Sequence, residues 1–570
     1  MDGAQVHFEL FVRKQHGSGW TLELATEERM RALGAAEEML AEGRAVAVKV
    51  CKETLEPGER EFKSVTILSK GEVEPVKRKK PAENLEPLCV SPQDLYTGHA
   101  RERIGRLLDT WLTRNKATPF ELLHRPDLIE KLDASGLELQ HAIQKVAIPE
   151  AQARGIGVHE IIRTFQRLVQ ATIDRVLRDA RKGNLPRLDK ESFAAVGERL
   201  VGDPDRHYLL GAAVAKAIGD APTWRDKVNR LLDLADGAPT SPQARALALH
   251  VLEEPLAEVL GSRAGIGELV GENLDLGSAL AAMTRLAAAD SVEALVAIEP
   301  AVARVMPPLE GAAARLANWL DGPHFEHVRA SIARRVLKEL MGPRRLRPLD
   351  PESEIIVLRA LAMALTAAAG RLLSLEDVQN AFIERSKMLI RPDFVEAYLG
   401  AERTPQSEVE ALLWLAENVT GAANKRQACR WISANVGALK FETAFRSGPE
   451  SPAAKLAALA EMQRSVTRAG FVAEDADPIA TRIGEVGGLV EAAGRLTASL
   501  AKAQAPVLSR LTVLLRFAAG EAAPLGPAAD RARVEAIRLM RAPETRAELA
   551  RAPDAFDRVR GLMQTAGMAA

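Results

Sequence analysis

Two Glu-x-x-His pairs stand close together in this chain, Glu121 with His124 and Glu138 with His141. Residues three apart share a helix face, so each pair offers a carboxylate and an imidazole side by side. Two such pairs on facing helices are four of the six donors of a carboxylate-bridged dimetal centre. Two features count against that chemistry. Pro126 follows the first pair almost at once and keeps its helix short. The bundle also needs a further helix between the pairs, and the chain there has no room for one. The plainer reading is two partly exposed histidines.

His324 and His327 offer two nitrogens three residues apart near a helix start, just after Gly322-Pro323. Two such nitrogens can share a metal, but no third ligand lies nearby in sequence. The stretch His159-Glu160-Ile161-Ile162-Arg163-Thr164 resembles the phospho-accepting box of histidine kinases. It departs at Phe165, where that box has proline, and no glycine-rich ATP-binding boxes follow. A helix starting after Gly157 accounts for the pattern. The chain has no G-x-S-x-G elbow, no Walker A loop and no G-x-G-x-x-G after a strand. No histidine follows His327, so the C-terminal part cannot supply a histidine base. No catalytic, cofactor-binding or metal-ligating residue is therefore assigned, and no cofactor is expected.

Positive charge is densest between Arg329 and Arg347, at Arg334, Arg335, Lys338, Arg344, Arg345 and Arg347. Lys425, Arg426 and Arg430 beside Trp431 form a second cluster. Arginine beside an aromatic ring can hold nucleic acid or phosphate. The whole chain has 76 basic and 77 acidic residues, a formal net charge of -1, so no global field draws it to a polyanion. Exposed, salt-bridged helix faces are the preferred reading, and a nucleic-acid partner is not expected.

The elements that must position these residues divide the chain. In residues 1–70, Val6, Phe8 and Leu10 alternate with polar residues, as do Trp20, Leu22 and Leu24, and both runs read as half-buried strands. His16 to Gly19 read as their hairpin loop. Thr26 reads as the cap of a helix carrying Met30, Leu33 and Leu40 that stops at Gly43. AVAVKV and FKSVTIL then read as two more strands, with Pro57-Gly58 in a type II turn between them. The order is β-β-α-β-β. Residues 71–93 read as a linker with four prolines and the basic run Lys77 to Lys80.

From there the chain reads as helix throughout. A capping residue before proline recurs at Thr118, Asp203, Ser241, Asp350, Thr404, Ser451 and Asp477, and each pair predicts a helix start. Val158 to Leu177 predicts a long amphipathic helix with Ile162, Phe165, Val169, Ile173 and Val176 on one side. The run Glu354 to Gly370 is apolar on almost every side and predicts a fully buried helix. Trp224, Trp319 and Trp414 are evenly spaced, but no TPR or ankyrin signature appears. A break near Gly342-Pro343 divides the helices into 94–342 and 343–570.

The expected fold is mainly α: a small N-terminal α+β module, then a large irregular all-helical array. With 570 residues the chain exceeds one compact core, and 47% hydrophobic with 27% charged residues is an ordinary globular balance. The start, MDGAQVHFEL, has no basic n-region or apolar h-region, and no apolar run reaches membrane-spanning length, so neither export nor membrane insertion is expected. Cys51, Cys89 and Cys429 are far apart and form no CxxC pair, which suits reduced thiols in a cytoplasm. The function these features favour is a non-enzymatic cytoplasmic scaffold or adaptor with a protein partner. The alternatives are a regulatory protein with an N-terminal sensing module, and an enzyme whose site lies between helices.

Overall fold

The structure is a computed structural model that describes residues 5–15, 18–55, 62–71, 88–551 and 553–568. The residues form two compact units. The first comprises Met1–Leu88 with Gln144–Phe165, and the second Cys89–Ile143 with Gln166–Ala570. The fold is mainly α with a small N-terminal α+β module.

In the first unit, strands β1 (Gln5–Arg13) and β2 (Thr21–Thr26), helix α1 (Arg29–Ala41), and strands β3 (Ala47–Leu55) and β4 (Lys63–Gly71) follow the expected order. They make one antiparallel sheet ordered β2-β1-β3-β4. Leu10 pairs with Leu24 and Val50, and Val12 pairs with Val48, so one face gathers the apolar side chains. Ala32 and Ala36 of α1 complete this small core. Met30, expected there, is 77% exposed. Thr26 does not cap α1 directly: the helix begins after Glu28, whose N–H donates to Thr26 Oγ1 at 3.2 Å. Strand alternation puts Cys51 and Glu53 on the other face of β3, and both are buried too. Within Gln144–Phe165, Ala147, Ala151 and Ile161 are buried. His16-Gly17 of the first hairpin, the Pro57-Gly58 turn and the run Lys77 to Lys80 lie outside the described residues.

Five of the seven cap-proline pairs begin helices as expected, at Thr118, Ser241, Asp350, Thr404 and Ser451. Asp203-Pro204 leads into a turn, and its helix starts later, after Asp205. Pro478 lies inside the helix Ala473–Gly494, at its sixth residue, and does not begin it. The long amphipathic helix runs Val158–Lys182. Phe165, Ile173 and Val176 of the expected stripe are buried, with Ile161, Leu168 and Thr172 beside them, while Ile162 and Val169 are half-buried.

The helices of the second unit used below are α2 (Gly98–Leu107), α3 (Pro119–His124), α4 (Trp224–Asp236), α5 (Pro242–Gly261), α6 (Leu276–Ala287), α7 (Glu326–Leu340), α8 (Pro351–Ala367), α9 (Leu375–Leu389), α10 (Pro405–Asn418), α11 (Ala422–Gly437), α12 (Pro452–Arg468), α13 (Ala473–Gly494), α14 (Val507–Ala518) and α15 (Pro527–Arg541). From α6 onward they pack in pairs: α6 with α7, α8 with α9, α10 with α11, α12 with α13, and α14 with α15. The pairs stack in two layers. One layer runs α6-α8-α10-α12, and the other runs α5-α7-α9-α11-α13-α15. One continuous apolar core threads this stack, with residues from both sides of Gly342.

Two positions explain the stacking. Leu361 of α8 is 0% exposed, at the meeting of both layers, while Ile356 on the same helix is 47% exposed. The expectation that this helix is buried all round is therefore corrected. Neighbours cover its flanks and inner side, and Glu352, Ile356, Arg359 and Thr366 face solvent. The Arg359 guanidinium lies 5.2 Å from the Trp414 ring of the next layer helix, α10. On α13, Gly484 and Gly487 let the chain before α15 press against the helix backbone. A Cβ at Gly484 would sit 2.3 Å from Leu525 O, and one at Gly487 2.3 Å from Pro524 Cγ.

Among the described residues, no helix is long and apolar enough to cross a membrane.

Candidate functional site

Helix α3 has one turn and a half, and its start is a complete capping box. Thr118 Oγ1 accepts the Glu121 N–H at 3.2 Å, and Glu121 Oε2 accepts the Thr118 N–H at 3.1 Å. The same carboxylate then does more. Its Oε1 lies 2.6 Å from Lys227 Nζ of α4 and 3.0 Å from an Arg125 Nη. Glu121 is 0% and Lys227 1% exposed. Burial pulls the Lys227 ammonium down from its ordinary pKa, against the pull of Glu121.

A second ion group meets α3 from α5. Glu258 Oε2 accepts the Phe120 N–H at 2.7 Å, which satisfies a helix-start donor that the chain itself cannot. Its Oε1 accepts Arg101 Nε at 2.8 Å, and Arg101 also reaches Glu254 at 3.0 Å. Burial pushes the Glu258 carboxyl up to about 7, opposed by Arg101 and the Phe120 N–H.

His124 sits between these groups as a neutral ring. Its Nδ1–H donates to Phe120 O at 2.7 Å, which leaves Nε2 as the bare nitrogen. That nitrogen faces Gly211 so closely that a Cβ there would stand 2.5 Å away. Burial drives its pKa down to about 3. The rings of Phe120 and Tyr96 pack around it at 4.4 and 5.1 Å.

The two Glu-x-x-His pairs are thus not brought together as one donor set. The first is buried with its carboxylate and Nδ1 engaged. In the second, His141 is exposed and Glu138 reaches Arg114 at 3.4 Å. His324 packs its ring 5.9 Å from Trp319, and the exposed His327 gives its backbone N–H to Glu253 at 2.7 Å. His159 is exposed at its helix start. Among the described residues, no three His, Cys, Asp or Glu side chains stand together as metal ligands do.

Most of the arginines between Arg329 and Arg347 hold the chain to itself. Arg335 Nη1 donates to Leu260 O at 3.0 Å and Gly261 O at 3.1 Å, at the C-terminal end of α5. Arg345 pairs with the buried Glu354 at 2.8 Å and lies 4.7 Å from the Phe394 ring. Arg347 pairs with Asp275 at 2.6 Å. Arg385 of α9, which sequence reasoning missed, is 0% exposed and donates through Nη1 to Arg344 O at 2.8 Å and Gly342 O at 3.2 Å. Its Nε and Nη2 have no acceptor. In the second cluster, Lys425 Nζ donates to Ala416 O at 2.6 Å and Ala469 O at 2.5 Å, joining the ends of α10 and α12. Trp431 Nε1 donates to Ile390 O at 3.4 Å. Arg334, Lys338 and Arg344 remain on the surface.

An open groove of about 410 Å³ lies between the end of α13 and α15, lined by Glu491, Arg495, Thr497, Asp530, Arg531 and Val534, among others. Its buried acid, Glu491, accepts the Thr497 hydroxyl at 2.6 Å and pairs with Arg531.

Sequence reasoning singled out Glu121 and His124 but expected a partly exposed histidine, and His124 is buried. It passed over Lys227, Glu258 and Arg385. The capping box Thr118-x-x-Glu121 was a signal for Glu121. Its buried partner Lys227 lies 106 residues away, and Glu258, the partner of Phe120, lies 138 away, which no local pattern reveals. Comparison with protein-family models, with curated proteins and with solved structures finds no match to this chain.

Proposed function

We propose that this chain is a non-enzymatic cytoplasmic scaffold or adaptor, binding a protein partner along the helical stack of its second unit. The two-layer packing of successive helix pairs carries this reading. A layer helix with a neighbour on each flank and a second layer behind has one free side. Stacked helices then line up those sides into an extended surface, the kind that repeat proteins use for partners. On α8 the free side presents Ile356 and Arg359, and on α12 it presents Ala453 and Ala457. The ion groups that could do chemistry support the same reading, because Glu121, Lys227, Glu258 and Arg101 are committed to one another.

The test is purification of the full chain from its native host, with partners identified by mass spectrometry. One stoichiometric protein should co-purify. Ile356→Arg and Ala457→Arg, both at exposed positions, should remove it while the circular dichroism spectrum stays unchanged. A chain that purifies alone, or whose partner survives both changes, would sink the proposal.

A further inference from the structure

Cys89 precedes the short 3-10 turn Pro92–Tyr96, and His99 is the second residue of α2. The Cys89 Sγ lies 3.8 Å from His99 Nε2, within reach of a thiol–imidazole hydrogen bond. The Asp94 carbonyl lies 3.9 Å from the same sulfur.

The approach is fixed on both sides. Asp94 Oδ2 accepts the Val90 N–H at 2.8 Å and the Ser91 N–H at 2.9 Å, which sets the backbone just after Cys89. The Thr97 hydroxyl donates to Asp94 O at 2.6 Å and ties this turn to the start of α2. The two N–H donors hold the Asp94 carboxyl below its ordinary range, and the His99 charge acts in the same direction. Arg103 lies one turn further along α2, and Arg101 of that helix is occupied by Glu254 and Glu258.

Cys89 and His99 are both half-buried. The other two thiols differ. Cys51 and Cys429 are buried, and burial pushes the Cys429 thiol up.

We propose that Cys89 is a site of reversible thiol–disulfide modification, with His99 as the base that generates its thiolate. The co-reactant is a low-molecular-weight disulfide. His99 Nε2 takes the thiol proton. The Cys89 thiolate attacks one sulfur of the disulfide, a new S–S bond forms to Cys89, and the old S–S bond breaks. The departing thiolate takes the proton back from His99. A second thiol reverses the sequence. The thiolate is the reacting species, so the imidazole acts by raising its fraction near neutral pH.

The test uses the full chain and glutathione disulfide. One glutathione should appear on Cys89 by peptide mass mapping and leave on treatment with dithiothreitol. Iodoacetamide should alkylate Cys89 with a half-reaction pH below the roughly 8.5 of a free thiol. In His99→Gln, alkylation at pH 7 should slow about tenfold, in line with the lost thiolate fraction. Equal rates in a variant that keeps its circular dichroism spectrum would overturn the proposal. So would glutathione on Cys51 or Cys429 ahead of Cys89, or no adduct at all. Should His99→Gln fail to fold, the profile of the unaltered chain decides alone, and a midpoint at or above that of a free thiol refutes the proposal.

Discussion

Lys227 Nζ stands 2.6 Å from Glu121 Oε1, and neither side chain meets solvent. The pair joins α3 to α4 across 106 residues of chain. Removing Glu121 strands the Lys227 ammonium in the core, while removing Lys227 leaves Glu121 with Arg125 at 3.0 Å. Glu121→Gln should therefore cost about 3–5 kcal/mol, as a buried ion left alone does, and Lys227→Met less. The double variant Glu121→Gln with Lys227→Met should lose less than the sum of the two single changes, because no bare charge remains. Urea denaturation of the four proteins measures this, and additive losses would mean that the pair is not coupled.

Two groups around α3 should make stability depend on pH in opposite directions. His124 has a folded pKa of about 3, below its ordinary 6.5. Its contribution is present above 6.5 and is lost as pH falls toward 3, because the unfolded chain takes the proton more readily. Glu258 has a folded pKa of about 7, above its ordinary 4.5. Its contribution is present below 4.5 and is lost as pH rises through 7. Melting temperatures across this range should show His124→Gln with a shallower acid limb. Glu258→Gln should have a shallower fall between pH 4.5 and 7. Parallel curves for all three proteins would contradict both assignments.

Leu361 and Ile356 share one helix and should behave differently. Leu361→Ala should cost about 2–5 kcal/mol through lost burial and the cavity left behind. Ile356→Ala, at a half-exposed site, should cost under about 1.5 kcal/mol. A shift in denaturation midpoint at constant slope reads both, and equal losses would mean that the layer boundary is misplaced.

The glycines of α13 give a sterically defined contrast. Gly484→Ala would bring a methyl group against a backbone carbonyl, so it should cost about 1–3 kcal/mol. Gly437→Ala, at the end of α11, has nothing within 4 Å and should be neutral or stabilising. Thermal melts of the two variants should move apart. If Gly484→Ala were also neutral, the close approach of Leu525 could not be needed.

The elements were largely legible in the sequence, because their signals are local. Period-two alternation at Val6, Phe8 and Leu10 gave β1, and cap-proline pairs gave five helix starts. The same local logic failed at Pro478, where a proline tolerated inside a helix looks like one that begins it. It failed at Ile356 too, since apolar character does not say which side a neighbour will cover. The ion groups were the least legible part. Glu258 is an ordinary glutamate in sequence and becomes distinctive only beside Phe120 and Arg101. Arg385 gave no sign that it would be enclosed.

Three helix starts in the second unit borrow an acceptor from a single stretch of chain. Glu258 serves α3 at Phe120, Glu253 serves α7 at His327, and Glu268 serves α4 at Trp224, each at 2.7 Å. All three acceptors lie between Pro242 and Val270. A deletion there would unsettle helix ends far upstream and far downstream at once. Evolution could lengthen or shorten the stack at its far end one helix pair at a time, but this segment has to be inherited whole.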